Sequence, residues 1–303
     1  MYSVYRGRIS ERAAKSQQIG GVMIELSAVD IGELRGWIGR TETAQDEITP
    51  RLVRELRATL DLDALEAEGR VPLAVHWCLA PPAVKASMIG PDGHPLRGGF
   101  LPPVPLPRRM WAGGQVKFRD QLHIGDRVER RSRIVDVAVK QGRSGVLCFV
   151  SVNHEYFTVR GLAIEDRQDI VYREFNTVTT SAANPRSLPT PEWRRDMQAN
   201  PVLLLRYSAL TFNGHRIHYD RPYATNVEGY PGLIVHGPLQ ATLLIEFAAS
   251  IKDQPPKQFL YRAVQPLFDF TPFELCARPN NGGLHLWIQT VEGVQTMDAQ
   301  ASW

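Results

Sequence analysis

Residues 206–251, RYSALTFNGHRIHYDRPYATNVEGYPGLIVHGPLQATLLIEFAASI, decide how the rest of the chain is read. From Pro238 onward the pattern is helical: Leu239, Leu243, Phe247 and Ile251 recur every four residues, and Leu244 and Ala248 widen the stripe. Gln240 and Glu246 are the only large polar groups before Lys252. A helix this apolar belongs in a core, as when a sheet curls around it, with Glu246 expected at the surface or capping a backbone group. Ahead of the helix the chain is polar and gathers His215, His218 and His236, three of its eight histidines. Imidazole is the side chain whose unperturbed pKa lies closest to neutrality. Asn213 and Asp220 add groups able to orient water. Gly237 precedes Pro238 at the helix N-terminus, where a ligand can approach a backbone N–H with the helix dipole behind it. That arrangement suits an oxygen that gains negative charge.

The remainder of the sequence sets limits. A chain of 303 residues is comfortable for two domains of about 150 each. Its net charge of +3 is weak for this size, and no Lys/Arg block is interleaved with aromatics, so nucleic acid is not an expected partner. The RRSR run at 130–133 fits a solvated strand face. Cys78, Cys148 and Cys276 are isolated among apolar neighbours, which suggests buried thiols and not a disulfide frame. No apolar run approaches the length that crosses a bilayer, so no membrane partner is expected. The first residues, MYSVYRGRISERAAKSQQ, carry one acid among arginines and serines, as a transit peptide or an ordinary N-terminus would. The expected location is cytoplasmic, or the mitochondrial matrix if the source is eukaryotic.

Along the chain one order of elements occurs twice. Thr49-Pro50 opens a helix on which Leu52, Leu56 and Leu60 recur, and a second apolar run, 71–79, stops at Pro81-Pro82. Residues 90–107 are dense in Gly and Pro and read as an irregular loop. Strands are predicted at 114–120, 126–139, 145–156 and 170–173. Residues 181–200, with several prolines, read as an extended linker. A short strand at 202–207 then precedes the polar loop, the helix from Pro238 and strands at 258–264, 267–276, 283–291 and 294–302. Two copies of a helix-plus-sheet module follow, an α+β architecture with modules at 1–180 and 201–303.

The run Tyr207-Ser208-Ala209-Leu210-Thr211-Phe212-Asn213-Gly214-His215-Arg216-Ile217-His218-Tyr219-Asp220, followed by Gly232-Leu233-Ile234-Val235-His236-Gly237, resembles the hydratase-2 segment of MaoC-like hotdog proteins. The likeness is nearest to the branch holding mitochondrial-type 3-hydroxyacyl-thioester dehydratases and the itaconyl-CoA and mesaconyl-C4-CoA hydratases. Leu106-Pro107-Arg108-Arg109-Met110-Trp111-Ala112-Gly113-Gly114 and Ile170-Val171-Tyr172-Arg173 extend it into the first half. The resemblance covers most of the chain beyond about Leu34. It implies a double hotdog, two curved antiparallel sheets each wrapped around a helix, and an edge-to-edge homodimer. It also implies an acyl-CoA substrate, a short dicarboxylic one such as itaconyl or mesaconyl, hydrated reversibly across the double bond conjugated to its thioester. No metal is implied, and no cofactor beyond the coenzyme A of the substrate.

By the same resemblance His218 falls on the catalytic histidine, and Gly237 on the glycine whose N–H binds the thioester oxygen. The usual catalytic aspartate, five residues before the histidine, is Asn213 here, and the asparagine two residues after it is His215. Asn213 has no titratable proton, so it can hold a water or a carbonyl but cannot be a general base. The expectation is that His218, alone or with His215, activates the water that Asn213 positions. Arg216, Arg108 and Arg109 are candidates for a substrate carboxylate, and Tyr207 and His236 are further substrate-binding positions. The first module has only scattered histidines (His76, His94, His123, His154) and is expected to be a degenerate partner that helps line a substrate tunnel.

Other classes remain open at this point. A 3-hydroxyacyl-thioester dehydratase of fatty-acid metabolism is one alternative. A non-catalytic acyl-thioester binding module would explain Asn213 as lost chemistry. An iron(II) enzyme would take His218 and Asp220 with His236 or His285 as its ligands. A serine hydrolase is excluded by the absence of a Gly-x-Ser-x-Gly elbow.

Overall fold

Each half of the chain opens with a polar strand and a capped helix. The computed structural model describes residues 30–62, 71–142, 145–174 and 188–303; the arginine- and serine-rich start and residues 181–187 of the expected linker lie outside them. A short helix α1 (Ile31–Arg35) leads into β1 (Thr41–Glu47) and α2 (Pro50–Leu60). Thr49 caps α2 by accepting the Leu52 N–H at 3.1 Å, with Pro50 in the first turn. Four long strands follow: β2 (Arg108–Phe118), β3 (Arg127–Gly142), β4 (Gly145–Thr158) and β5 (Gly161–Arg173). The second half repeats the order with β6 (Trp193–Gln198), α3 (Pro201–Leu210), α4 (Gly237–Lys252), β7 (Gln258–Ala263), β8 (Pro272–Asn280), β9 (Gly283–Thr290) and β10 (Gln295–Ser302).

Two expectations are corrected here. Residues 202–207 are helical, inside α3, and not a strand. The Asn200 side chain accepts the N–H groups of Val202 and Leu203, both at 3.0 Å, and Pro201 starts the helix. Asn200-Pro201 thus repeats Thr49-Pro50, and these start signals outweigh the apolar run behind them. Within the stretch expected to be linker, β6 pairs with β8. Like β1, it is a short polar edge strand, and polar edges carry little hydrophobic pattern.

All ten strands join one antiparallel sheet in the order β1-β3-β4-β5-β2-β7-β10-β9-β8-β6. Outward from the central β2–β7 pair, both halves run second, fifth, fourth, third, first strand. That identity of order is the structural sign of duplication. The pair is close: a Cβ on Gly114 of β2 would lie 2.1 Å from the Arg167 carbonyl oxygen and 2.4 Å from the Tyr261 hydroxyl, so glycine is required there.

One continuous core fills the concave side of the sheet. It takes Leu56 and Leu60 from α2, Val75 and Leu79 from the 71–79 run, Leu204 from α3, Leu244 and Phe247 from α4, and strand residues of both halves. α2 and α3 pack against each other across the pseudo-twofold. The buried polar groups of α4 are satisfied: Gln240 bonds to the Val235 carbonyl and Thr296, and Thr242 to Tyr207. Glu246 accepts the Leu73 N–H at 2.7 Å, tying α4 to the other half. A smaller core lies farther along the strands of the first half, around Leu34, Leu106, Ile134, Val150 and Tyr172.

The halves differ in one respect that matters for function. Where the second has the sixteen-residue α4, the described part of the first has two short helical turns, Val75–Cys78 and Ala86–Met88, in an otherwise irregular segment up to β2. Cys78, Cys148 and Cys276 are buried free thiols. Among the described residues no helix is long and apolar enough to cross a membrane.

Candidate active site

The polar loop between α3 and α4 folds so that its histidines form a row. A short turn, Arg216–His218, carries His218 into the interior, where its Nδ1 lies 2.8 Å from the Ile234 carbonyl oxygen. A carbonyl only accepts, so Nδ1 bears the hydrogen and Nε2 of the neutral ring presents a lone pair. Burial, reinforced by His215, pushes His218 down to about 3, so the ring is neutral at neutral pH.

His236 stacks on His218, with ring centroids 3.6 Å apart and planes at 19°. It is fully buried, its Nε2 is 2.8 Å from the Ser208 hydroxyl, and burial with His218 and His215 lowers its proton affinity. The next residue is Gly237, first in α4. No side chain caps this helix, so its first N–H groups are left for a ligand. A Cβ on Gly237 would meet Trp111 of β2 at 3.6 Å, so the seam strand forms a wall beside the helix N-terminus.

On the other side of His218 stands His215, edge-on with centroids 5.5 Å apart. Asn213 does not reach out as a free amide. Its Oδ1 accepts the His215 N–H at 3.0 Å and its own N–H bonds to the Ser208 carbonyl, so it shapes the turn that presents His215.

The first half of the chain enters at this point. His94 lies against His215, with ring centroids 4.1 Å apart, and its Nδ1 is 3.2 Å from Asp92 Oδ2. Burial works against the Asp92 carboxylate, but hydrogen bonds from His94 and the charges of His94 and His215 hold it below the usual carboxylate range. Burial and Arg109 lower the proton affinity of His94. The loop is clasped to its neighbour: Arg216 N–H donates to the Asp92 carbonyl at 2.9 Å, and Arg216 Nη1 to the Pro91 carbonyl at 2.9 Å. Gly93 adopts φ +89°, and a Cβ on it would lie 1.8 Å from the Gly214 carbonyl oxygen. Glu228, also buried, places Oε1 3.5 Å from His215 Nε2, while Arg108 bonds its backbone carbonyl and lies 3.5 Å from Oε2.

Several sequence expectations gain detail. His215, His218, His236 and Gly237 are brought together. Tyr207 and His236 are buried under the site: the Tyr207 hydroxyl is 3.3 Å from Thr242 and its ring meets His236 edge-on. Two of the three arginines proposed for a substrate carboxylate are already paired, Arg108 with Glu228 and Arg216 with Asp220 at 2.7 Å. Arg109, beside His94 and Tyr172, has no carboxylate partner among the described residues. The ligand set weighed for iron does not converge. Asp220 bonds Arg216 and the Tyr223 N–H, and His285 pairs with Asp298 on neighbouring strands. Among the described residues, the ligand-type group that does converge is Asp92, His94 and His215, within 4.8 Å of one another. Asp92, His94 and Glu228 were not singled out from sequence. An Asp-Gly-His run in a Gly/Pro-rich loop was the available signal for the first two; for Glu228 there was none.

A ten-stranded sheet of two matching halves, curved about a central helix and carrying a histidine-rich loop at the head of α4, is a double hotdog. The sequence pattern of the hydroxyacyl-thioester dehydratase type 2 family matches residues 74–269, and the chain belongs to that family. It is 45% identical over 267 residues to the mesaconyl-C(4)-CoA hydratase of Chloroflexus aurantiacus, covering 87% of this chain and 95% of that relative. HtdX of Mycobacterium tuberculosis superposes with a TM-score of 0.63 at 20% identity, covering 87% of this chain and 99% of that one. A second Mycobacterium tuberculosis protein, described as a double hotdog, gives 0.52 at 12% identity over 87% and 95% of the two chains. At these identities the two structures bear on fold alone.

Proposed function

We propose that the protein is an acyl-CoA hydratase of the hydro-lyase class, adding water reversibly across an enoyl-thioester double bond. The preferred substrate is a short dicarboxylic acyl-CoA of the mesaconyl-C4 or itaconyl kind. The observation that carries this reading is the juxtaposition of a neutral His218, its Nε2 lone pair available, with the uncapped α4 N-terminus one stacked ring away. His218 takes a proton from water, the Gly237 N–H holds the thioester oxygen as it becomes an enolate, and Asn213 fixes the turn that presents His215. Arg109 meets the second carboxylate. The 45% identity to a mesaconyl-C(4)-CoA hydratase supports the dicarboxylic choice over a fatty-acid dehydratase. Hydration is redox-neutral and needs only proton transfer, so the coenzyme A of the substrate suffices without further cofactor.

The first module, 1–180, serves as partner to the catalytic second one at 201–303. A homodimer of twice 34.0 kDa follows from the habit of hotdog sheets, and the location is that of the CoA pool, cytoplasm or mitochondrial matrix. Incubation with crotonyl-, itaconyl- and mesaconyl-C4-CoA, followed by loss of the enoyl-thioester absorbance, tests the activity. Turnover is expected and fastest with a dicarboxylic substrate. Binding without any turnover would make this a thioester-binding module instead.

A further inference from the structure

The hydration chemistry leaves Asp92 and His94 without a task, although they converge with His215 from the opposite module. Three features make this more than a chance meeting. Asp92 Oδ2 and His94 Nδ1 lie 3.2 Å apart, the spacing of two donors that share one ion at bonds of roughly 2.0–2.2 Å and near-tetrahedral angles. His215 has the support that commonly stands behind a metal-bound imidazole. Glu228 Oε1 lies 3.5 Å from its Nε2 and is held in turn by Arg108, which leaves Nδ1 for an ion. The two turns that bear these side chains are also fixed in advance. Asp92 Oδ1 accepts the His94 N–H at 3.0 Å, the Gly90 N–H donates to the His94 carbonyl at 2.7 Å, and the Arg216 N–H to the Asp92 carbonyl at 2.9 Å. Gly93 and Gly214 meet with no room for a Cβ on either.

We propose that Asp92, His94 and His215 form a site for a divalent cation of the zinc type, which ties the first module to the histidine loop of the second. The site goes beyond the hydratase reading and does not depend on it. Two imidazoles and a carboxylate suit zinc, whose filled d shell imposes no geometry of its own, and three protein ligands leave a fourth position for water. The donor atoms lie within 4.8 Å of one another, so a small rotation of the His215 ring closes the set. Arg109 stands beside His94, and Arg108 takes the second Glu228 oxygen. These charges offset the two carboxylates, so micromolar affinity is expected, weaker than that of a closed four-ligand site. The ion acts as a staple between the modules, and an ion that binds only the folded chain raises its stability by mass action.

The test uses full-length protein freed of metal with EDTA and desalted. It is titrated with Zn2+ against a chromophoric chelator, and with Co2+ for the visible bands of a four- or five-coordinate ion. The ligand variants are Asp92→Asn, which keeps the Oδ1 that caps the turn, and His94→Gln. His285→Gln, which breaks the partly exposed pair of His285 Nε2 with Asp298 Oδ1 at 2.8 Å, is the control. One Zn2+ per chain, Co2+ bands and a higher melting temperature with metal are expected in the wild type and the control. In both ligand variants affinity should fall by more than the roughly 10–100-fold that loss of a supporting group costs, and the thermal shift should vanish. Glu228→Gln, which alters only the support, should lose affinity within that range. Circular dichroism without metal checks folding, and a ligand variant that does not fold leaves the decision to the other. No saturable binding in the wild type, or wild-type affinity in the ligand variants, would overturn the site. Turnover of mesaconyl-C4-CoA is read separately: its absence would refute the hydratase reading and leave the metal measurements standing.

Discussion

Replacing Gly93 by alanine probes the contact between the two modules at the site. The added Cβ would sit 1.8 Å from the Gly214 carbonyl oxygen. Real Cβ atoms essentially never approach closer than 3.0 Å, so the two loops must separate by at least 1.2 Å. Both partners are backbone, so no side-chain rotation relieves the clash. The loop carrying Asp92 and His94 moves away from His215, and displacements of about 1 Å can reduce rate on the order of 100-fold. Backbone strain at φ +89° adds roughly 1–2 kcal/mol. Gly125→Ala is the control: φ is +91° and nothing lies within 4 Å of its Cβ, so it carries strain without the collision. Enoyl-thioester hydration and thermal unfolding by circular dichroism should be measured on both variants. The expected result is a larger loss of melting temperature in Gly93→Ala than in Gly125→Ala, with activity lost only in Gly93→Ala. If kcat/KM of Gly93→Ala stays within twofold of wild type, the apposition of the loops is not needed for catalysis.

Three further outcomes follow from the site. His218→Ala should lower turnover roughly 10²–10⁴-fold. It should also flatten the acid side of the stability profile. The folded His218 is held at about 3, so below about pH 6.5 the unfolded chain binds a proton that the folded chain does not. Stability therefore falls by up to about 1.4 kcal/mol per pH unit on acidification and is unaffected above that window. Denaturant titrations at pH 5 and pH 8 giving the same difference in variant and wild type would contradict this. Gly237→Ala should leave the melting temperature nearly unchanged, because its Cβ makes only ordinary contact with Trp111. Alanine keeps the backbone N–H, so turnover should drop only if the added methyl stands in the path of the thioester oxygen; wild-type kinetics would show that the oxygen does not approach over the Gly237 Cα. Arg109→Gln should lower kcat/KM for mesaconyl-C4-CoA about 10- to 100-fold, the worth of a charged hydrogen bond. Crotonyl-CoA, which lacks the second carboxylate, should be spared, and equal losses on both substrates would count against Arg109 as the carboxylate partner.

What could be read in advance tracks the strength of the local signal. α4 was legible to within one residue because its apolar stripe is long and unbroken. The strands β3 and β4 were legible from their β-branched content, and β9 and β10 were placed to within a residue. β1 and β6 were not, because edge strands present polar faces to water, and α3 was missed because its capping signal was overlooked behind a run of leucines. At the site, the cluster of His215, His218 and His236 came from one short segment and was visible. The meeting of His94 with His215 spans 121 residues and depends on the β2–β7 seam, which no local pattern encodes. Glu228 is buried between Arg108 and His215 for the same reason.

The β2–β7 seam joins strands of one polypeptide, and this sets how the protein responds to dilution. A site assembled from two separate subunits dissociates at low concentration, and its activity then follows a mass-action law. Here the covalent link fixes the local concentration of one half around the other, whatever the amount of protein present. Specific activity should therefore be constant down to enzyme levels at which any dimer has come apart. The link also frees the two halves from symmetry. A substitution in the 90–95 loop alters one wall of one site without being copied elsewhere in the same chain, so the duplicated halves were able to diverge into a helix-bearing and a loop-bearing partner.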